Sequence, residues 1–91
     1  MAAEGKLREK LKKRVEAYGG EIRAVSWLGR RYAPDVLVII PGKWHAFVET
    51  KAPGGKPTKG QAREHEFMRS AGIFVDVISN DAQLDAFLPP L

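Results

Sequence analysis

Asp35, Glu49 and Lys51 are the side chains in this sequence best suited to do chemistry together. Glu49 and Lys51 stand two residues apart, a spacing that puts both on one face of a β-strand. Asp35 follows Pro34 and opens the apolar run Val36-Leu37-Val38-Ile39-Ile40. A turn at Pro41-Gly42 folds that run back on the segment holding Glu49, so the start of the first strand meets the end of the second. Two carboxylates brought to one end of a buried hairpin are costly unless they pair or bind a cation. A hard divalent ion such as Mg²⁺ satisfies that need, because it is typically held by one or two carboxylates plus phosphate oxygens. Such an ion stabilises charge on a phosphate and lowers the pKa of a bound water. A neighbouring lysine would orient that water or neutralise the developing charge. The plainer alternative makes Glu49 and Lys51 a surface ladder of opposite charges and Asp35 a turn residue. A Glu-x-Lys triplet alone carries little weight; its place in the chain carries more.

The elements that must position these residues can be read from periodicity. Leu7, Leu11, Val15 and Tyr18 recur at three- and four-residue steps, an amphipathic helix over 4–18 that Gly19-Gly20 ends. Residues 21–25 read as a short strand and 26–33 as a loop containing Gly29, Arg30 and Arg31. The run 35–40 suits a strand buried on both faces, and 44–51 its hairpin partner. Two prolines and two glycines make 52–58 a loop. A helix over 59–71 stopped by Gly72, a strand over 73–78, and a last helix capped by Ser79 or Asn80 and halted by Pro89-Pro90 complete the chain. The order α-β-β-β-α-β-α predicts an α/β domain, a mixed sheet flanked by helices.

Composition narrows the class. At 91 residues the chain is expected to be one domain, residues 1–91. It has no cysteine, which excludes disulfides and thiolate metal sites. No apolar run nears the roughly 18 residues of a membrane span, and the charged start lacks a signal-peptide core, so an intracellular (cytoplasmic) protein is expected. Fifteen Lys+Arg against 11 Asp+Glu give a net charge of +4. Lys56, Lys59 and Arg63 cluster beside the carboxylate–lysine motif, which favours a phosphate-bearing partner over a merely solvated face.

Several separate segments now agree in order: Pro34-Asp35 before Val36-Leu37-Val38, then Phe47-Val48-Glu49-Thr50-Lys51-Ala52-Pro53-Gly54-Gly55, then Gln61 and Ala71-Gly72. In these the chain resembles the PD-(D/E)xK (restriction-endonuclease-like) nuclease superfamily and, within it, the VRR-NUC domain, over nearly its whole length. The resemblance implies a Mg²⁺- or Mn²⁺-dependent endonuclease acting on DNA, similar to phage-type homodimeric enzymes that cut branched DNA such as Holliday junctions in replication, recombination or repair. It further implies that Asp35, Glu49 and the Thr50 carbonyl bind metal, that Lys51 is catalytic, and that Gln61 helps position the lysine or water. Tyr32 departs from the pattern, standing where members commonly have a glycine; this bears on the path of the loop, not on the metal ligands.

The family also places a glutamate of the first helix near the metal. Among Glu4, Glu9 and Glu16, only Glu4 falls within about 60° of Leu7 on the apolar stripe, so Glu4 is the expected contributor, through a second site or a water. Arg30 and Arg31 on one loop and Lys56, Lys59 and Arg63 on the other are expected to track phosphates, which positions DNA without reading its sequence. His45 and His65 read as structural or solvent-facing rather than as ligands. Trp27 and Tyr32 are suited to stacking on a splayed base, although packing is the default for Trp27 and Trp44. Cutting two strands of a branch with one centre per chain argues for a two-fold dimer, with Trp27, Phe74 and Phe87-Leu88 as candidate contact surface. The competing expectation is a non-catalytic DNA-binding module that keeps the fold.

Overall fold

A computed structural model describes residues 3–91, with side chains described from Gly5 onward. The elements are α1 (Ala3–Ala17), β1 (Glu21–Ala24), β2 (Val36–Ile40), β3 (Trp44–Thr50), α2 (Lys59–Ser70), β4 (Val75–Ile78) and α3 (Asp81–Phe87). This is the order expected from the sequence. The four strands form one sheet in the order β1-β2-β3-β4, antiparallel at the first two joints and parallel at the last. The parallel joint needs a crossover, and α2 supplies it.

The even-numbered residues of the central hairpin build the core. Val36, Val38, Ile40 and Val48 face Leu7, Leu11 and Val15 of α1 and Leu84 and Leu88 at α3, all nearly inaccessible to water. The two helices lie side by side on that face, joined by Lys10–Asp81 at 3.1 Å and Arg14–Asp85 at 3.0 Å. Arg14 also donates to the Leu88 carbonyl at 2.7 Å, so the end of α3 is tied to α1 through both charge and backbone. The odd-numbered face looks toward α2, whose buried side chains are His65 and Met68. Trp27 packs against Phe47 there at 5.2 Å between ring centroids.

Several boundaries shift by a residue or two from the expected ones, and two of the shifts are informative. β1 ends at Ala24, although the Val25 amide still donates to the Asp35 carbonyl at 2.9 Å. β4 begins at Val75, two residues late, because Gly72 and Ile73 are engaged elsewhere. Their amides bond back to Arg69 and Met68 at 2.9 and 3.1 Å, satisfying the open carbonyls at the end of α2.

Gly20 sits where α1 turns into the sheet. A β-carbon placed on it would lie 2.5 Å from the Ile39 carbonyl oxygen and 3.0 Å from Val15 Cγ1. Backbone cannot yield cheaply, so Gly20→Ala is expected to destabilise by about 1–3 kcal/mol, as overpacking does. Thermal unfolding checks this; a midpoint unchanged from wild type would show that α1 can lift off β2 freely.

Candidate active site

The register of the hairpin brings the expected residues together. Val36 pairs with Val48, and one further step sets Asp35 opposite Glu49. Glu49 and Lys51 alternate with the core residue Val48 and with Thr50, so they lie on the α2 side of the sheet. Glu49 is 8% exposed, whereas the Asp35 side chain is half-open to solvent. Lys51 is half-buried, and its amide holds the end of β3 to the Ile78 carbonyl at 2.9 Å.

The next register step would set Pro34 opposite Thr50. Proline has no N–H, so it cannot supply the next rung, and the ladder's last pair is Val36↔Val48. Along β3 the odd residues use their amides toward β4, as the bonds from Phe47 and Lys51 show. The Thr50 carbonyl therefore turns toward β2, at the place where Pro34 has no donor. Pro34 is itself fully buried, and its carbonyl accepts from Trp27 Nε1 at 2.5 Å.

Two residues not assigned to the site from the sequence belong to this neighbourhood, one of them His65, which reads there as structural or solvent-facing. Arg8 of α1 donates to Asp35, Nη2 to Oδ2, at 3.0 Å. His65 of α2 is 1% exposed, with Nε2 3.7 Å from Glu49 Oε1, a contact too long for a hydrogen bond. Burial holds its pKa below the ordinary value, helped by the charges of Arg69 and Lys51 and opposed by Glu64. The charged form of the imidazole behind Glu49 is thus disfavoured. Its place was legible in one respect: it lies three residues before Met68, on the buried stripe of α2.

The remaining expected residues are spread around this centre. The Gln61 side chain accepts from the Thr58 amide at 3.0 Å while its own amide donates to Thr58 Oγ1 at 3.2 Å, a capping box that starts α2. Its amide oxygen is therefore occupied by the helix end. Lys56, Lys59, Arg31 and Arg63 are exposed. Arg30 is also exposed but ion-paired with Glu64, so part of its charge is already matched. Tyr32 lies over Gly60, where an added β-carbon would stand 2.8 Å from the ring. The small residue at the start of α2 makes room for the large one in the loop. His45 is exposed, and the Glu4 side chain lies outside the described residues.

Among the described residues no group of three or more His, Cys, Asp or Glu converges. Two carboxylates and a carbonyl turned toward a donorless proline are nonetheless a hard-oxygen set of the kind Mg²⁺ or Mn²⁺ takes with phosphate and water. The buried, unpartnered Oγ1 of Thr50 lies at the same strand end. The residues present fit a divalent ion. An open cavity of about 540 Å³ lies elsewhere, lined by Trp44, His45, Phe74, Asp76 and Phe87, and shares no residue with this centre.

A pH dependence follows from His65. Its folded-state pKa is depressed, so between that value and the ordinary one near 6.5 the unfolded chain binds more protons. Stability is expected to be full above about pH 6.5, to fall as pH drops toward the folded value, and to level off below it. Urea midpoints of wild type and His65→Gln, measured in chelator across this range, test it. Equal slopes in the two proteins would remove His65 as the cause.

Comparison with known proteins bears on the family and the fold. No family model matches the sequence. A solved structure described as "VRR_NUC domain" superposes with a TM-score of 0.87 at 41% identity, covering 96% of this chain and 95% of that one. A curated protein, "Putative nuclease p44" of Acyrthosiphon pisum secondary endosymbiont phage 1, is 46% identical over 61 residues. That alignment takes in 67% of this chain and 64% of the relative, so the chain spans under two thirds of the relative's length. The chain belongs to the VRR-NUC nuclease domain family.

Proposed function

We propose that this chain is a metal-dependent endodeoxyribonuclease selecting DNA by structure, with branched DNA such as Holliday junctions as substrate. The observation that carries the reading is the hairpin register, which places Asp35 opposite Glu49 with Lys51 on the same strand face as Glu49. Mg²⁺ or Mn²⁺, held by Asp35, Glu49 and the Thr50 carbonyl, would polarise the phosphodiester and acidify a water. Glu4 would contribute through a second position or a water.

Lys51 is the group for the nucleophile. Its ammonium, on the Glu49 side of the sheet, orients the water and compensates charge on the phosphate as it builds. Gln61 acts at one remove, by fixing the start of α2 and the loop before it. Exposed Lys56, Lys59, Arg63 and Arg31 hold phosphates on either side, with Arg30 in support.

Symmetric cutting of a branch calls for a homodimer. Of the apolar residues expected to form it, only Phe74 is exposed. Leu88 is 3% exposed and both Trp27 and Phe87 are half-buried against other rings, whereas Phe67 and Phe74 are 70% and 66% exposed. An intracellular role in replication, recombination or repair fits a DNA substrate. Among the described residues no helix is long and apolar enough to cross a membrane.

The test is cleavage of forked, nicked, flapped and four-way DNA by the purified protein with Mg²⁺, Mn²⁺ or chelator. Metal-dependent cutting of branched over linear DNA is the expected result. Binding to all of them with no cutting under any metal would replace the enzyme with a DNA-binding module of the same fold.

A further inference from the structure

Arg8 departs from the pattern of its helix. Lys10 and Arg14 pair with Asp81 and Asp85 along the α1–α3 seam, whereas Arg8 reaches the open end of the hairpin and takes Asp35 at 3.0 Å. Its side chain is 37% exposed, and its Nε is buried with no hydrogen-bond partner. The guanidinium thus keeps donor capacity beyond the one bond it makes. Its planar fork matches carboxylate and phosphate oxygens alike.

We propose that Arg8 is the chain's own cation for this centre: it neutralises Asp35 while no divalent ion is bound, and transfers to a DNA phosphate when an ion takes that carboxylate. This rests on the reading of Asp35 as a metal ligand. A guanidinium and a dication on one carboxylate repel each other at close range, and phosphate is the anion that the substrate brings to the same place. Arg8 then couples the two binding events, since each ligand favours the arrangement the other needs.

The experiment is a pair of titrations. Without DNA, Mn²⁺ is titrated into wild type, Arg8→Gln, Lys12→Gln and Asp35→Asn, and read by calorimetry. Exposed ion pairs are weak, so Arg8→Gln is expected to bind Mn²⁺ about three- to fivefold tighter, with little change for Lys12→Gln, which removes equal charge from the same helix. In the second arm, four-way DNA is titrated with Mn²⁺ present, in a Lys51→Ala background. There Arg8→Gln is expected to weaken binding and to lower the salt slope by about one phosphate contact. Unchanged or weaker Mn²⁺ binding by Arg8→Gln, an equal gain in Lys12→Gln, or an unaltered salt slope would each overturn the role given to Arg8. Failure of the underlying reading looks different: Asp35→Asn would then bind Mn²⁺ as wild type does.

Discussion

Asp35→Asn and Lys51→Ala are each expected to leave a folded protein whose DNA cleavage is at least about 10²- to 10³-fold slower, the usual loss when one group stabilising transition-state charge is removed. The expectation follows from where the two side chains stand. The Asp35 side chain is half-open to solvent just before β2, and its one described polar contact is the ion pair with Arg8. Replacing it therefore disturbs little packing. Lys51 lies just past β3, held by its backbone to Ile78 rather than by its side chain. Initial rates on four-way DNA, beside thermal midpoints of the same preparations, separate loss of chemistry from loss of fold. Both variants cutting within a few fold of wild type would move the active site elsewhere.

Leu11→Ala is expected to have the largest effect on folding. Leu11 is wholly inaccessible and central to the α1 stripe between Leu7 and Val15. Truncating such a residue costs about 2–5 kcal/mol, partly through the cavity it leaves. A domain of this size has little reserve, since total stability is about 5–15 kcal/mol. With about 4–8 °C of midpoint per kcal/mol, most of the folded range near 37 °C is at risk. Urea unfolding measures the change directly. A loss under about 1 kcal/mol would mean that α1 is not anchored by this stripe. The consequence reaches the active site, because α1 also carries Arg8.

Much of this architecture was legible because its signals are local. The apolar run 36–40, the Pro41-Gly42 turn and the two-residue step from Glu49 to Lys51 determine a hairpin and its register without distant contacts. The stripe Leu7, Leu11, Val15 likewise names the buried face of α1. What escaped depends on pairs far apart in sequence. Arg8 meets Asp35 across 27 residues, and among so many basic residues on α1 nothing local marks it. His65 is buried because α2 crosses behind β3, a fact of tertiary packing. Tyr32, where members of the family commonly have glycine, is accommodated by Gly60, and that compensation shows only once the loop and helix are side by side. Ile73 and Phe74 have strand-like side chains, yet β4 starts after them, because the amides of Gly72 and Ile73 close the preceding helix.

Pro34 gives the motif a physical meaning that is easy to overlook. An ordinary residue there would donate an amide hydrogen to Thr50 and lengthen the β2–β3 pairing. The imino acid withholds that hydrogen, and on the proposed reading the oxygen lone pair it leaves is the one that takes the cation. Pro34→Ala is thus the unusual substitution expected to impair an ion site by adding a bond, trading metal affinity for a tidier sheet.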